Sequence, residues 1–118
     1  MKISIFVSSD PTLTSLKDRV QTAIRAENDG FDGVWYAQLF GEDALTTIAI
    51  AGSRTSRIEL GTAVVPTFTR HPWVMAQQAL TTQVATEGRL TLGVGLSHRI
   101  TVETNFGLAF ERLTGHAT

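Results

Sequence analysis

The chain has 118 residues, of which 42% are hydrophobic and 18% are charged, and its formal net charge is −1. This balance is typical of a single globular domain, here residues 1–118, and excludes a disordered or strongly charged polypeptide. The ten lysines and arginines are scattered, so we expect no nucleic-acid partner. No stretch reaches the roughly 20 apolar residues that span a bilayer, so we expect no membrane partner.

The absence of cysteine removes three kinds of chemistry. Disulfides, thiolate metal ligands and cysteine nucleophiles are all excluded. The composition fits a reducing cytoplasm, and a cytoplasmic location is expected. The first ten residues contain one lysine and a short apolar run, and Asp10-Pro11 stops it early, which is typical of a strand and not of a signal peptide.

Strands and helices alternate from the N-terminus. Residues 3–7 are an apolar run typical of a buried strand. Asp10 and Pro11 then offer an N-cap and a first-turn proline. Apolar residues spaced by three and four predict a helix from there to Gly30, and a second strand is predicted over residues 33–37.

The same cycle continues along the chain. Carboxylates at Glu42 and Asp43 suit the start of a helix, which is predicted over residues 44–51. A third strand is predicted over residues 58–65, where Pro66 stops it.

A third helix and a fourth strand follow. His71-Pro72 opens a helix over residues 73–86, and a strand is predicted over residues 90–94. The residues available for the buried side of this helix are Val74, Met75, Ala79, Leu80 and Val84. Alternating strands and helices indicate right-handed parallel βαβ units, which build either an open doubly wound sheet or part of a (β/α)8 barrel.

In such folds, sites form where strands end and helices begin. Gly93 and Gly95 invite a dinucleotide-binding interpretation, but the third glycine of that fingerprint is replaced by His98. Close approach of the strand end to a ligand or another backbone explains the two glycines better. His98-Arg99 is equally compatible with an exposed helix start and with a site in which the imidazole orients a flavin-like ring or donates a proton.

Other chemistry finds little support. The three histidines lie far apart in the sequence and no carboxylates cluster with them, so we predict no metal site. No nucleophile elbow supports a Ser-His-Asp arrangement. A catalytic role for Asp10 is a weaker interpretation than an N-cap.

Three stretches together resemble the luciferase-like monooxygenase superfamily, in particular its deazaflavin-dependent branch. They are residues 29–35 (DGFDGVW), residues 60–66 with 70–72 (LGTAVVP and RHP), and residues 88–95 (GRLTLGVG). The resemblance implies an α/β fold in which about four parallel (β/α) units form the N-terminal half of a TIM-type (β/α)8 barrel. A complete barrel of this type takes about 250 residues.

The resemblance also implies a coenzyme, either deazaflavin coenzyme F(420), which it favours, or FMN. The third strand of this family carries a bulge with a non-prolyl cis peptide that backs the ring, and by position this bond lies between Ala63 and Val64. Ser97 and His98 occupy positions that touch the ring or the substrate, and His98 is the candidate catalytic residue. No metal residue is implied.

Relatives that oxidise a sugar phosphate place Asp-His after the second strand and a glutamate after the fourth. Gln38-Leu39 and His98 stand at those positions here, so that acid–base machinery is not carried over. The expected function is hydride transfer with a deazaflavin, or oxygen activation with reduced flavin, on a small organic substrate. The alternative is a catalytically inactive half-barrel fragment or assembly module that binds no cofactor alone. Exposed barrel edges favour a homo-oligomer.

Overall fold

The computed structural model of the chain describes residues 1–7, 15–38 and 41–95. Parallel strands and helices alternate through these residues. The strands are β1 (Ser4–Val7), β2 (Gly33–Tyr36), β3 (Glu59–Thr62), β4 (Val65–Pro66), β5 (Leu90–Thr91) and β6 (Val94–Gly95). The helices are α1 (Leu16–Asn28), α2 (Ala44–Ser53) and α3 (Pro72–Ala85).

All the strand pairs are parallel. The main sheet has the order β1-β2-β3-β5, and β4 pairs with β6 in a second short ladder. Two residues separate β3 from β4 and two separate β5 from β6, so each pair continues one strand across an interruption. The predicted α/β class with parallel βα units is confirmed.

The helices cover one face of the sheet and build the hydrophobic core there. The fully buried members include Ala23 of α1, Val34 of β2, Ile48 of α2 and Leu60 of β3. Apolar side chains that leave water on one face of a sheet supply most of the driving force for folding.

The opposite face carries a row of residues that are neighbours in the strand register: Phe6, Trp35, Gly61 and Thr91. Phe6 is 63% exposed, so the described residues leave this end of the face open. The Trp35 ring lies over Gly61, where an added Cβ would stand 2.2 Å from ring atom Cζ3. Glycine at position 61 therefore allows the indole to lie flat on the sheet.

Helix α1 begins later than the sequence pattern predicts. Its N-cap is Ser15, whose hydroxyl accepts from the Asp18 N–H at 3.1 Å, while the Asp18 carboxylate accepts from the Ser15 N–H at 3.3 Å. This capping box satisfies two N–H groups of the first turn. The prediction that Asp10 caps this helix is therefore wrong, and Asp10 itself lies outside the described residues.

Helix α3 buries only part of the face predicted for it. Met75 and Ala79 do lie against the core, and Thr82 and Thr86 continue this line towards the end of the helix as buried residues. The other three predicted residues are exposed: Val74, Leu80 and Val84. Because apolar residues occur all around this helix, their spacing alone does not select the buried face.

Two charged side chains hold the loops at the amino ends of the strands. The Glu27 carboxylate accepts from three backbone N–H groups directly before β3, those of Ser56, Arg57 and Ile58. Arg89, directly before β5, donates to four carbonyl oxygens, those of Gly52, Thr55, Ile58 and Thr86. The arginine of the GRLTLGVG stretch thus has a structural role at the edge away from the carboxyl ends.

No described helix is long and apolar enough to cross a membrane.

Candidate functional site at the carboxyl ends of the strands

The carboxyl ends of the parallel strands lie along one edge of the sheet. Ala37 and Gln38 follow β2, and Ala63 and Val64 follow β3. In parallel α/β folds this edge carries the binding and catalytic groups. The described candidate residues therefore lie at one place.

The third strand is interrupted between β3 and β4, and the peptide bond between Ala63 and Val64 is cis. The predicted position of this bond is confirmed. The Ala63 N–H donates to the carbonyl oxygen of Tyr36 at 2.8 Å, which ties the interruption to the end of β2. Val64 is 43% exposed and presents an apolar side chain at this edge.

A buried threonine hydroxyl bridges the interruption. The Thr62 Oγ1 donates to the Gly93 carbonyl oxygen at 2.8 Å and accepts from the Gly93 N–H at 2.8 Å. The neighbouring Val65 N–H donates to the same carbonyl at 2.9 Å. A Cβ at position 93 would stand 2.4 Å from the Thr62 carbonyl oxygen, so glycine is required for this close approach. The preferred interpretation of Gly93, approach to another backbone, is confirmed.

Four polar side chains meet beside the end of β2, and we call them the Arg70 cluster: Gln38, Asp43, Arg70 and Gln78. Arg70 forms an ion pair with Asp43 and donates to the Gln78 side-chain oxygen at 3.0 Å and to the Gln38 side-chain oxygen at 3.3 Å. Its side chain is only 12% exposed. Burial lowers the pKa of Arg70 from its ordinary value.

Asp43 and Gln38 also fix the start of α2. The Asp43 carboxylate accepts from the Thr46 N–H at 2.9 Å as the N-cap, which confirms the predicted start. The Gln38 side-chain oxygen accepts from the Ala44 N–H at 2.8 Å. Free N–H groups of the first turn are thereby satisfied by residues that also bind Arg70.

A second arginine lies buried under the same edge. Arg19 donates to Glu42 at 3.0 Å and to the Ala37 carbonyl oxygen at 3.0 Å. Its guanidinium carbon lies 5.6 Å from the centroid of the Tyr36 ring, and the Tyr36 hydroxyl donates to the Arg19 carbonyl oxygen at 2.8 Å. Burial raises the pKa of Tyr36 well above its usual range, although the Arg19 charge opposes this. The phenol therefore stays protonated at neutral pH.

The other predicted residues fall into two groups. His71-Pro72 opens α3, as predicted, and His71 is its N-cap, whose Nδ1 accepts from the Trp73 N–H at 3.1 Å. Ser97 and His98 lie outside the described residues, as does Leu39. Within residues 1–7, 15–38 and 41–95, no group of three potential metal ligands occurs.

The sequence did not reveal the role of Thr62, nor that Arg70 connects Gln38, Asp43 and Gln78. Thr62 directly precedes the Ala63-Val64 pair and belongs to the LGTAVVP stretch, so its place in the motif was the available signal. Arg70 belongs to the RHP stretch, but its partner Gln38 lies 32 positions away.

Comparison with known proteins identifies relatives of this chain. The family model described as luciferase-like monooxygenase matches residues 1–115. A Mycobacterium tuberculosis protein assigned as a coenzyme F(420)-dependent oxidoreductase is 38% identical over 96 residues, which is 81% of this chain and 28% of the relative.

Solved structures show the same fold. The coenzyme F(420)-dependent tetrahydromethanopterin reductase from Methanopyrus kandleri superposes with a TM-score of 0.80 at 24% identity, over 92% of this chain and 30% of the reductase. A type II Baeyer–Villiger monooxygenase component from Pseudomonas putida, in complex with FMN, gives a TM-score of 0.81 at 18% identity, over 92% of this chain and 33% of that chain. The chain therefore spans about a third of their length or less, and its fold matches that part of the solved structures. With the family model covering nearly the whole sequence, this chain belongs to the luciferase-like monooxygenase family.

Proposed function

We propose that this chain forms the coenzyme-facing part of an oxidoreductase that uses deazaflavin coenzyme F(420). The observation that carries the proposal is the interrupted third strand at Ala63-Val64, at the carboxyl edge of the sheet in a member of this family. The F(420)-dependent assignment of the mycobacterial relative supports the deazaflavin.

The described residues fit a planar ring. Val64 presents an exposed apolar side chain, against which a ring face can pack. Behind it, the Thr62 hydroxyl and the Gly93 backbone hold the interruption with two hydrogen bonds. A ring needs such a fixed surface, because each loose contact costs conformational entropy on binding.

Ala63 and Val64 would support the ring, and Ser97 and His98 are proposed to contact it or the substrate. The bound coenzyme supplies the hydride chemistry, while the chain binds and orients it. The Tyr36 phenol plays no acid–base part because it is buried and donates to a backbone carbonyl. His98 is the proposed proton donor, and a small organic molecule is the proposed substrate class.

FMN is the second candidate coenzyme. The Pseudomonas putida monooxygenase component, whose fold matches over 92% of this chain, is in complex with FMN. Reduced FMN would direct the chemistry towards oxygen activation instead of hydride transfer between coenzyme and substrate.

Fluorescence titration of the purified chain with coenzyme F(420), and separately with FMN, tests the proposal. Saturable binding is expected, with at least tenfold weaker affinity in Val64→Asp because a carboxylate would be desolvated against the ring. Val84→Asp is the matched control, since Val84 is 79% exposed near the far end of α3. A folded chain that binds neither coenzyme would refute the proposal and favour an inactive half-barrel or assembly module.

A further inference from the structure

The amide of Gln38 is held in one orientation at the end of β2. Its oxygen accepts from the Ala44 N–H at 2.8 Å and from Arg70 at 3.3 Å. A glutamine amide has one acceptor atom and one donor atom, so two donors on the oxygen turn the nitrogen away from both. Within the described part of the chain, no group accepts a hydrogen bond from the Gln38 nitrogen, and that nitrogen is not among the fully buried atoms that lack a partner.

We infer that Gln38 donates a hydrogen bond to a carbonyl or anionic oxygen of the bound coenzyme, and that Arg70 is the positioning residue that orients the amide for it. The inference rests on the proposed function. It assigns the Arg70 of the RHP stretch a role at the coenzyme site.

Arg70 is suited to this positioning because it is itself fixed. Its guanidinium is held by the Asp43 ion pair and by the Gln78 side chain, and it is nearly buried. Asp43 in turn is held by its N-cap bond to α2. A planar guanidinium with several fixed partners keeps its remaining N–H groups in a fixed direction.

The chemistry of the amide defines the kind of ligand. A neutral amide neither gives nor takes a proton near neutral pH, so this strand end supplies recognition instead of acid–base catalysis. Its free N–H groups select an acceptor oxygen, and a carboxylate at the same position would repel an anionic one. Both candidate coenzymes carry ring carbonyls and phosphate, which share this acceptor chemistry.

Gln38→Glu separates the donor role from a structural one. The variant keeps an oxygen for Ala44 and Arg70 but replaces the donor with a second acceptor. We expect coenzyme affinity to fall at least tenfold, with an unchanged thermal unfolding midpoint. Gln77→Glu on the exposed face of α3 adds the same charge and should bind like the wild type. If Gln38→Glu binds as well as the wild type, the inference is wrong while the proposed function stands.

A double-mutant cycle tests the role of Arg70. If Arg70 acts through Gln38, Arg70→Met weakens binding in the wild-type background and has less than a threefold effect in the Gln38→Leu background. Equal effects in both backgrounds would overturn the positioning role.

Titration with riboflavin, which lacks the phosphate of FMN, identifies the acceptor oxygen. If Gln38→Glu still weakens binding of riboflavin, the acceptor is a ring carbonyl. If the substitution no longer affects binding, the acceptor is the phosphate. Failure of the wild-type chain to bind either coenzyme would overturn both the proposed function and this inference.

Discussion

The Thr62 hydroxyl and the Gly93 peptide form a reciprocal pair, in which each donates one hydrogen bond to the other at 2.8 Å. The pair lies where the third and fourth strands are both interrupted, and it replaces the regular ladder between them. Thr62 is 1% exposed, so water has no access to its side chain. The candidate coenzyme surface is thus supported from behind by a side chain that lies in the sheet.

Thr62→Val is expected to destabilise the chain by about 2 kcal/mol, because it removes both hydrogen bonds of the buried hydroxyl and leaves the half-buried Gly93 N–H without its protein partner. Urea unfolding followed by circular dichroism measures this loss. Thr62→Ser keeps the hydroxyl and should retain most of the stability, and Thr81→Val on the exposed face of α3 controls for the substitution itself. Equal stability of Thr62→Val and the wild type would show that the pair contributes nothing.

The local features of the fold were predictable because their signals lie close together in the sequence. Asp43 precedes an apolar helix and caps it, and His71 with Pro72 opens α3 as expected. The start of α1 was predicted wrongly because Asp10-Pro11 is as good a local signal as Ser15 with Asp18. The two signals compete for the start of the helix, and tertiary packing selects Ser15.

The candidate site was predictable only in part. The position of the cis peptide bond between Ala63 and Val64 followed from the family resemblance, and the spacing of apolar residues does not indicate it. The pairs that support it join residues far apart: Thr62 and Gly93 are separated by 31 positions, and Gln38 and Arg70 by 32. Contacts of this kind depend on how segments distant in the sequence pack together, which a single sequence does not encode in a readable pattern.

We expect the free energy of unfolding to fall at high pH because the Tyr36 phenol is buried. Its pKa is raised in the folded chain by burial, so the neutral form is favoured there more than in the unfolded chain. The resulting stabilisation is complete below the unfolded value of about 10 and declines as the pH rises above it. Urea midpoints between pH 8 and 11 should fall more steeply for the wild type than for Tyr36→Phe.

Tyrosinate absorption provides an independent check of this prediction. The chain has one tyrosine, so the signal belongs to Tyr36 alone. We expect ionisation to accompany unfolding, and a tyrosine that titrates near its ordinary value in the folded chain would contradict the burial of its hydroxyl.

We expect Glu27 to make the stability of the chain fall at low pH. Burial, the largest single influence, raises the pKa of this carboxyl, but the N–H groups of Arg57, Ile58 and Ser56 together with the Arg57 charge lower it overall. A lowered pKa contributes stability that is present above the unfolded value and is lost as the pH falls through the folded one. Glu27→Gln should therefore lose about 1 kcal/mol at pH 7, with a smaller difference from the wild type at pH 3.

Coenzyme titration of Glu27→Gln separates stability from binding. Glu27 lies at the amino edge of the sheet, away from Val64, so the folded variant should keep wild-type affinity. A large loss of affinity with an unchanged unfolding midpoint would mean that the two edges of the sheet are coupled.

We expect the 118-residue chain to self-associate, because the described residues leave large apolar side chains exposed. Phe6 is 63% exposed on the open face of the sheet, and Leu80 is 69% exposed on α3. Exposed apolar surface of this kind promotes association. Among the described residues, β1 pairs with β2 only, so its outer edge adds backbone hydrogen-bonding groups. Sedimentation velocity over a range of concentrations should detect dimers or larger species.

Two variants locate the contact. If association uses the barrel edge and open face, Phe6→Lys should weaken it at least tenfold while Leu80→Lys leaves it unchanged. The reverse pattern would place the contact on α3, and a monomer at all concentrations would refute self-association.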